Sequence, residues 1–215
     1  MKPHFQDRPD AGAQLAGRLA AYAGRPDVTI LALPRGGVPV ARAVAARLGV
    51  PLDVLVVRKL GVPGHEELAM GAVAGGGVQV LNHDIVNSLG LDRVTIEQVA
   101  ARERRELARR ERAYRGDRPP APVAGRTVIL VDDGIATGAT ARAALAALRT
   151  RGADRLVVAA PTISPEAFRQ LRSCADEVVA VIVPDAFQGV GEWYDNFTQT
   201  TDDEVRALLA PVAAS

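Results

Sequence analysis

The sequence lacks several features that would indicate a particular class of protein. A single cysteine, Cys174, excludes an internal disulfide and is typical of a chain from a reducing compartment. Aromatic residues make up only 4% of the chain, so valine, leucine and alanine must fill its core. No apolar run approaches the roughly 18 residues of a membrane span, and the polar first ten residues contain no signal segment. We therefore expect a soluble, cytoplasmic protein with no membrane partner.

The chain also lacks a strong charge of either sign. Its 26 basic and 25 acidic residues leave a formal net charge of +1, which gives no argument for nucleic acid binding. Arginines concentrate in a predicted long helix at about 92–115, but acidic residues alternate with them. This alternation favours a solvated helix or a dimer arm over a nucleic-acid patch. A homodimer that does not bind nucleic acid is expected.

The chain is organised around residues 128–140. Val128 to Val131 predict a strand buried on both faces of a parallel sheet. Asp132 and Asp133 follow at its carboxyl end, where open α/β sheets bind their ligands. A glycine-rich turn and a predicted helix come next, and unpaired backbone N–H groups in such a turn attract anions. Two carboxylates ahead of an anion-binding turn indicate a ligand that carries a phosphate. The same ligand would also carry hydroxyl groups or a bound metal ion for the carboxylates.

The stretch V-I-L-V-D-D-G-I-A-T-G-A-T resembles the signature of the type I phosphoribosyltransferases. In that family the two acids hold the ribose hydroxyls of phosphoribosyl pyrophosphate (PRPP), and the turn wraps its 5′-phosphate. The alternative is an ordinary strand–turn–helix. The resemblance implies the following PRPP-binding residues: Asp132, Asp133, Gly134, Ala136, Thr137, Gly138, Ala139 and Thr140.

Two other strand ends complete the implied site. A predicted strand at 28–33 leads into a glycine turn and a helix from about residue 38, and this turn resembles the pyrophosphate loop of the family. A second predicted strand at 52–57 ends at two adjacent cations, whose charge suits a departing pyrophosphate. An Arg-Lys pair at this place resembles that of the adenine-specific members of the family. Arg58 and Lys59, with the acid pair, are the implied catalytic groups. The implied pyrophosphate-binding residues are Arg35, Gly36, Gly37, Arg58 and Lys59.

A glycine-rich segment follows these cations. Residues 61–77 contain six glycines, which predict a flexible hood over the reaction centre, extending over about 61–90. His65, Glu66 and Glu67 lie in it. Glu67 is the first candidate to contact the acceptor, although an exposed hairpin tip explains all three polar residues nearly as well.

The segment 184–200 is a second candidate part of the hood. Its aromatic residues and Asp195 resemble the end of the 6-oxopurine phosphoribosyltransferases. The resemblance implies that Phe187 stacks on the acceptor base and that Asp195 binds magnesium, with Asp132 as a further metal ligand. The alternative is that Phe187, Trp193 and Tyr194 form a small satellite core.

The alternation of strands and helices predicts one α/β domain over 1–215, with a doubly wound, mostly parallel sheet and a small hood. The resemblance implies magnesium-dependent transfer of the phosphoribosyl group from PRPP to a nitrogen of a nucleobase-like acceptor, as in nucleotide salvage. A purine is favoured as the acceptor. However, Ala136 stands where the 6-oxopurine enzymes have an acidic general base, so the identity of the general base and that of the acceptor both stay open. The competing hypothesis is a PRPP-sensing regulator without turnover, in which the arginine-rich helix contacts nucleic acid.

Overall fold

The computed structural model describes residues 4–210. Its strands and helices, including two 3₁₀ turns at Ala20–Tyr22 and Val190–Trp193, alternate along the chain. The strands are β1 (Val28–Ala32), β2 (Leu52–Val54), β3 (Val57–Val62), β4 (His65–Ala74), β5 (Val78–Leu81), β6 (Thr127–Val131), β7 (Arg155–Thr162) and β8 (Glu177–Ile182). The helices are α1 (Arg8–Arg18), α2 (Gly37–Leu48), α3 (His83–Ser88), α4 (Arg93–Arg115), α5 (Ala139–Thr150), α6 (Pro165–Leu171) and α7 (Asp202–Leu209).

The central sheet has five parallel strands in the order β2-β1-β6-β7-β8. Alternate residues of its strands enter two cores on opposite faces. Ile30 packs in the core that includes α1, α2 and α7, and Leu31 packs in the core of α5 and α6. Helices thus cover both faces, and the predicted doubly wound α/β fold is confirmed.

The strand order fixes where a ligand would bind. From β1 the chain proceeds to β2 on one side, whereas from β6 it proceeds to β7 and β8 on the other. The direction of winding reverses between β1 and β6, and ligands of open α/β sheets bind outside the carboxyl ends of the strands at this point. The loops that follow β1 and β6 are the two glycine turns singled out in the sequence.

The hood is an ordered antiparallel sheet in the order β3-β4-β5. Residues 61–77, expected as a loop, lie largely in β3 and β4, where glycines permit close strand contact. A side chain at Gly71 would overlap the carbonyl oxygen of Val80 on the neighbouring strand. Residues 84–88, within the range expected for the hood, form most of α3.

The position of the two hood cations also differs from expectation. The predicted strand at 52–57 ends at Val54, after which the chain leaves the central sheet. Arg58 and Lys59 therefore lie within β3 of the hood, not at the carboxyl end of a central strand. The run at 52–57, apolar apart from Asp53, contains no turn signal, so the boundary is set by packing of the hood on the core.

Candidate active site at the carboxyl ends of β1 and β6

The acid pair lies directly after β6. Asp132 accepts a hydrogen bond at Oδ1 from the backbone N–H of Asp133, at 2.9 Å, and this bond fixes the turn between the two residues. The side chain of Asp133 is only 14% exposed. The two neighbouring carboxylates therefore lie in a largely enclosed position at the switch point of the sheet.

Burial raises the pKa of both carboxyls above the usual value. For Asp132 the negative charge of Asp133 raises the pKa further. For Asp133 the neighbouring Arg8 guanidinium opposes the rise in pKa, because Nε of Arg8 donates to Oδ2 at 2.8 Å. Ionising both acids costs free energy in this environment. Hydroxyl donors or a cation would stabilise the ionised carboxylates and would therefore bind there favourably.

The glycine turn after β1 packs against the acid pair. A Cβ atom on Gly36 would overlap Oδ2 of Asp133, and one on Gly37 would lie 2.7 Å from the carbonyl oxygen of Val131. Gly36 has φ −60°, so its lack of a side chain serves close approach rather than an unusual backbone conformation. The structure thus brings the predicted pyrophosphate loop and the predicted ribose acids into contact.

Arg35 lies on the outer side of the same loop. Its Nη1 is 3.6 Å from Oδ1 of Asp202, at the first residue of α7, and its side chain is about one-third exposed. The Pro34–Arg35 peptide bond is cis. Because Asp202 also accepts a hydrogen bond from the Tyr114 hydroxyl, at 2.9 Å, helices α4 and α7 both support this loop.

The predicted phosphate turn ends in an uncapped helix. Gly138, the residue before α5, has φ +71°, a left-handed conformation that favours glycine, and offers no side-chain cap. Ala136, Thr137, Ala139 and Thr140 are exposed. The turn is held from below, because the Ser164 hydroxyl donates to the carbonyl oxygen of Ala136 at 2.6 Å. The Thr137 Oγ1 atom accepts a long hydrogen bond, 3.4 Å, from the N–H of Ala139, and the other N–H groups of this first helical turn are suited to an anion.

Arg58 and Lys59 extend to opposite faces of β3, as neighbours in a strand do. Arg58 is paired with the buried Glu103 of α4, with Nη2 and Oε2 2.6 Å apart. Lys59 lies on the other side and shares with Ala139 and Thr140 a cavity of about 70 Å³ between the hood and α5. The structure therefore brings Lys59 to the phosphate turn and holds Arg58 against α4.

The three polar residues of the hood lie at its tip. His65, Glu66 and Glu67 are exposed, as the hairpin alternative supposed. Glu66 accepts a hydrogen bond from the backbone N–H of Gly64 at 3.2 Å. Glu67 pairs with Lys59, with Oε2 and Nζ 3.3 Å apart.

The C-terminal segment also lies beside the acid pair. Phe187 is half-buried against an apolar cluster that includes Phe5, Trp193 and Tyr194, so the satellite core foreseen as an alternative is present. Asp195 is exposed, and its Oδ1 is 2.9 Å from Nδ1 of His4. Residues 4–210 contain no group of three or more His, Cys, Asp or Glu side chains placed so that they could together hold a metal ion.

Sequence reasoning missed two residues that hold Asp133. Arg8 is buried and pairs with its carboxylate, and the Tyr194 hydroxyl donates to its backbone carbonyl at 2.5 Å. Arg8 lies 125 residues away in a polar N-terminal stretch without a motif, so no local signal marked it. Tyr194 was considered only as an aromatic core residue.

The chain belongs to the phosphoribosyl transferase domain family, whose sequence profile matches residues 5–195. The resemblance inferred from the sequence is thereby confirmed at the level of the family. Between residues 4 and 210, no helix is long and apolar enough to cross a membrane.

Individual relatives are similar over nearly the whole chain. Two Mycobacterium tuberculosis proteins, named "Putative phosphoribosyl transferase Rv0571c" and "Putative phosphoribosyl transferase MT0597", are each 51% identical over 205 residues, which are 95% of this chain and 46% of each relative. The chain thus spans about half the length of these curated relatives. The crystal structure of TT1426 from Thermus thermophilus is 48% identical, with a TM-score of 0.87, and the match covers 96% of this chain and 97% of that one.

Proposed function

We propose that this protein transfers the 5-phosphoribosyl group from PRPP to a ring nitrogen of a nucleobase-like acceptor and releases pyrophosphate. The observation that carries the proposal is the contact between two loops at the switch point of the sheet. Gly36 and Gly37 lie against Asp132 and Asp133, so an anion-binding loop and a hydroxyl-binding acid pair face one ligand position. PRPP carries both kinds of group.

Each part of PRPP has a suitable partner. The acid pair would receive the ribose 2′- and 3′-hydroxyls and favour the positive charge that develops on the ribose in the transition state. The uncapped turn at 137–140 would bind the 5′-phosphate, which supplies binding energy remote from the reacting carbon. The loop of Arg35, Gly36 and Gly37 would hold the pyrophosphate as it leaves C1.

The oxygen-rich donor set fits magnesium. Mg²⁺ is commonly bound through one or two carboxylates together with substrate phosphates and water. Asp132 is suitably close to the pyrophosphate loop, since a Cβ atom on Gly37 would lie 3.2 Å from its Oδ1. Asp195 is a weaker candidate, because its carboxylate is paired with His4. The ion would supply positive charge to the departing pyrophosphate.

Two residues are proposed to face the acceptor. Phe187 lies in the C-terminal segment and Glu67 at the tip of the hood, and both are proposed to border the acceptor position. Ala136 has no group that could accept a proton from the acceptor. We favour a purine and a cytoplasmic role in nucleotide salvage, and a panel of purines, pyrimidines and small amines tests the choice of acceptor.

Replacing Lys59 by alanine should lower kcat about a hundredfold and change the PRPP dissociation constant less than about threefold. Although Lys59 borders the phosphate turn, its charge is proposed to act on the pyrophosphate as it leaves, and a cation that acts on developing charge affects kcat more than affinity. Steady-state kinetics and calorimetry measure the two quantities. Lys59→Arg should restore part of kcat, whereas a loss confined to PRPP affinity would make Lys59 a ground-state contact.

A PRPP-sensing regulator is the second candidate function. One observation favours it: Arg58 and Lys59 are each paired with an acid, Glu103 and Glu67, rather than directed freely at a ligand. Such a protein would bind PRPP without releasing pyrophosphate. If the exposed arginines of α4 then contact DNA or RNA, the affinity for nucleic acid should fall steeply with salt concentration.

A homodimer is also proposed. Leu68 of the hood, Leu89 after α3 and Val94 of α4 are large apolar residues exposed on neighbouring elements. Large exposed apolar side chains are one feature of protein interfaces. Light scattering after gel filtration should give twice the chain mass of 22.6 kDa; a mass equal to one chain would contradict the dimer.

A further inference from the structure

We propose that Arg8 is a positioning residue that orients the carboxylate of Asp133 for the ribose of PRPP, which makes the start of α1 part of the substrate site. This inference rests on the proposed function and deepens it. Neither the PRPP signature nor the pyrophosphate loop contains Arg8, and no motif connects it with the acid pair.

The guanidinium of Arg8 is held on three sides. Its Nε donates to Oδ2 of Asp133 at 2.8 Å, and its Nη1 donates to the carbonyl oxygen of Thr198 at 2.6 Å. The ring of Phe197 lies against it, with 4.1 Å from Cζ to the ring centroid. The whole residue is 8% exposed. A planar guanidinium with fixed donors can hold a carboxylate in one orientation, which the flexible ammonium of lysine does less well.

Asp133 is restrained at two further points. Its backbone carbonyl accepts from the Tyr194 hydroxyl at 2.5 Å. Its Oδ2 is in contact with Gly36, so the carboxylate cannot turn into the pyrophosphate loop. Because Oδ2 accepts from Arg8 and also lies against Gly36, Oδ1 has more room to receive a ribose hydroxyl. Arg8 thus decides which oxygen of Asp133 faces the substrate.

Arg8 is itself fixed by backbone hydrogen bonds between residues 5–6 and residues 193–196. The backbone N–H of Phe5 donates to the Trp193 carbonyl, and the N–H of Asp195 donates to the Phe5 carbonyl, each at 2.9 Å. The N–H of Asn196 donates to the Gln6 carbonyl at 2.9 Å. This pairing places the beginning of α1 over the acid pair. A salt bridge that served stability alone would not need its acidic partner to be one of two adjacent acids at the switch point of the sheet.

The experiment compares Arg8→Gln and Arg8→Lys with wild-type protein by calorimetry with PRPP and magnesium. Arg8→Gln should raise the PRPP dissociation constant at least about tenfold, and Arg8→Lys should raise it less, since it keeps the charge but not the planar fork. Arg18→Gln is the matched control, because Arg18 is exposed on the same helix, and it should bind PRPP as wild type does. Circular dichroism checks that each variant is folded.

A double-mutant cycle separates positioning from general packing. If Arg8 acts through Asp133, then Arg8→Gln should cause no further loss of PRPP affinity in the Asp133→Asn background. An equal loss in both backgrounds would overturn the inference, as would unchanged affinity in a folded Arg8→Gln. If Arg8→Gln does not fold, a folded Arg8→Lys with wild-type affinity overturns it. Failure of wild-type protein to bind PRPP would contradict the proposed function, and this inference with it.

Discussion

Replacing Asp132 and Asp133 together by asparagine should weaken PRPP binding at least about a hundredfold while the domain stays folded. Hydrogen bonds to a charged group contribute about 1.5–3 kcal/mol each, so two of them account for at least two factors of ten in affinity. Calorimetry with PRPP and magnesium measures the loss. Asp117→Asn, at an exposed position before β6, is the matched control and should bind normally.

The same acids give a prediction about stability. Burial, with the charge of Asp133, raises the pKa of Asp132 in the folded state above its usual value of 3.8. The unfolded chain therefore ionises first, and stability is lost as the pH rises from about 3.8 towards the folded pKa. Asp132→Asn removes this loss, so at about pH 7 its free energy of unfolding should be no lower than that of wild type.

Asp133→Asn should behave differently. It removes the partner of a buried arginine, which leaves the Arg8 guanidinium without its carboxylate. Urea denaturation should therefore give a lower free energy of unfolding for Asp133→Asn than for Asp132→Asn. If Asp132→Asn also unfolds more readily than wild type, the prediction from its raised pKa is wrong. If the double variant binds PRPP unchanged, the assignment of the acid pair to the ribose is wrong.

Replacing Gly36 by alanine should reduce PRPP binding and turnover at least about a hundredfold. The added methyl group would overlap Oδ2 of Asp133, so either the carboxylate or the pyrophosphate loop must move. A displacement of about 1 Å in such a site costs around a hundredfold in rate. Binding by calorimetry and release of pyrophosphate measure the two effects.

Gly17→Ala is the control for this substitution. Gly17 lies in α1, and a Cβ atom there would meet no atom within 4 Å. Alanine in a helix is about 0.5–1 kcal/mol more favourable than glycine, so this variant should be slightly more stable and fully active. Equal activity of the Gly36 and Gly17 variants would show that the contact between the loop and Asp133 does not matter for function.

The parts of the site that could be predicted from sequence are those whose chemistry is local. The strand, acid pair and glycine turn at 128–140 are contiguous, so a single stretch contains both the element and its ligand-binding groups. The turn at 34–37 repeats that organisation. Because parallel strands end at one edge of a sheet, the proximity of the two turns also follows from the predicted fold.

The parts that could not be predicted depend on tertiary packing. The run at 52–57 is apolar throughout apart from Asp53, so nothing local marks the point at which β2 ends and the hood begins, and the cations Arg58 and Lys59 were placed on the wrong strand. The glycines of the hood indicated a loop, whereas most of that segment forms paired strands. Arg8 pairs with an acid 125 residues away, and only the folded chain brings the two together.

The most direct test of the central claim is release of pyrophosphate from PRPP with magnesium, measured across purines, pyrimidines and small amines. The proposed function predicts release that depends on one acceptor or a small related group, and that is lost in the double Asp132→Asn, Asp133→Asn variant. Binding of PRPP without release on any acceptor in the panel would contradict the enzyme and favour the regulator. Absence of PRPP binding would contradict both.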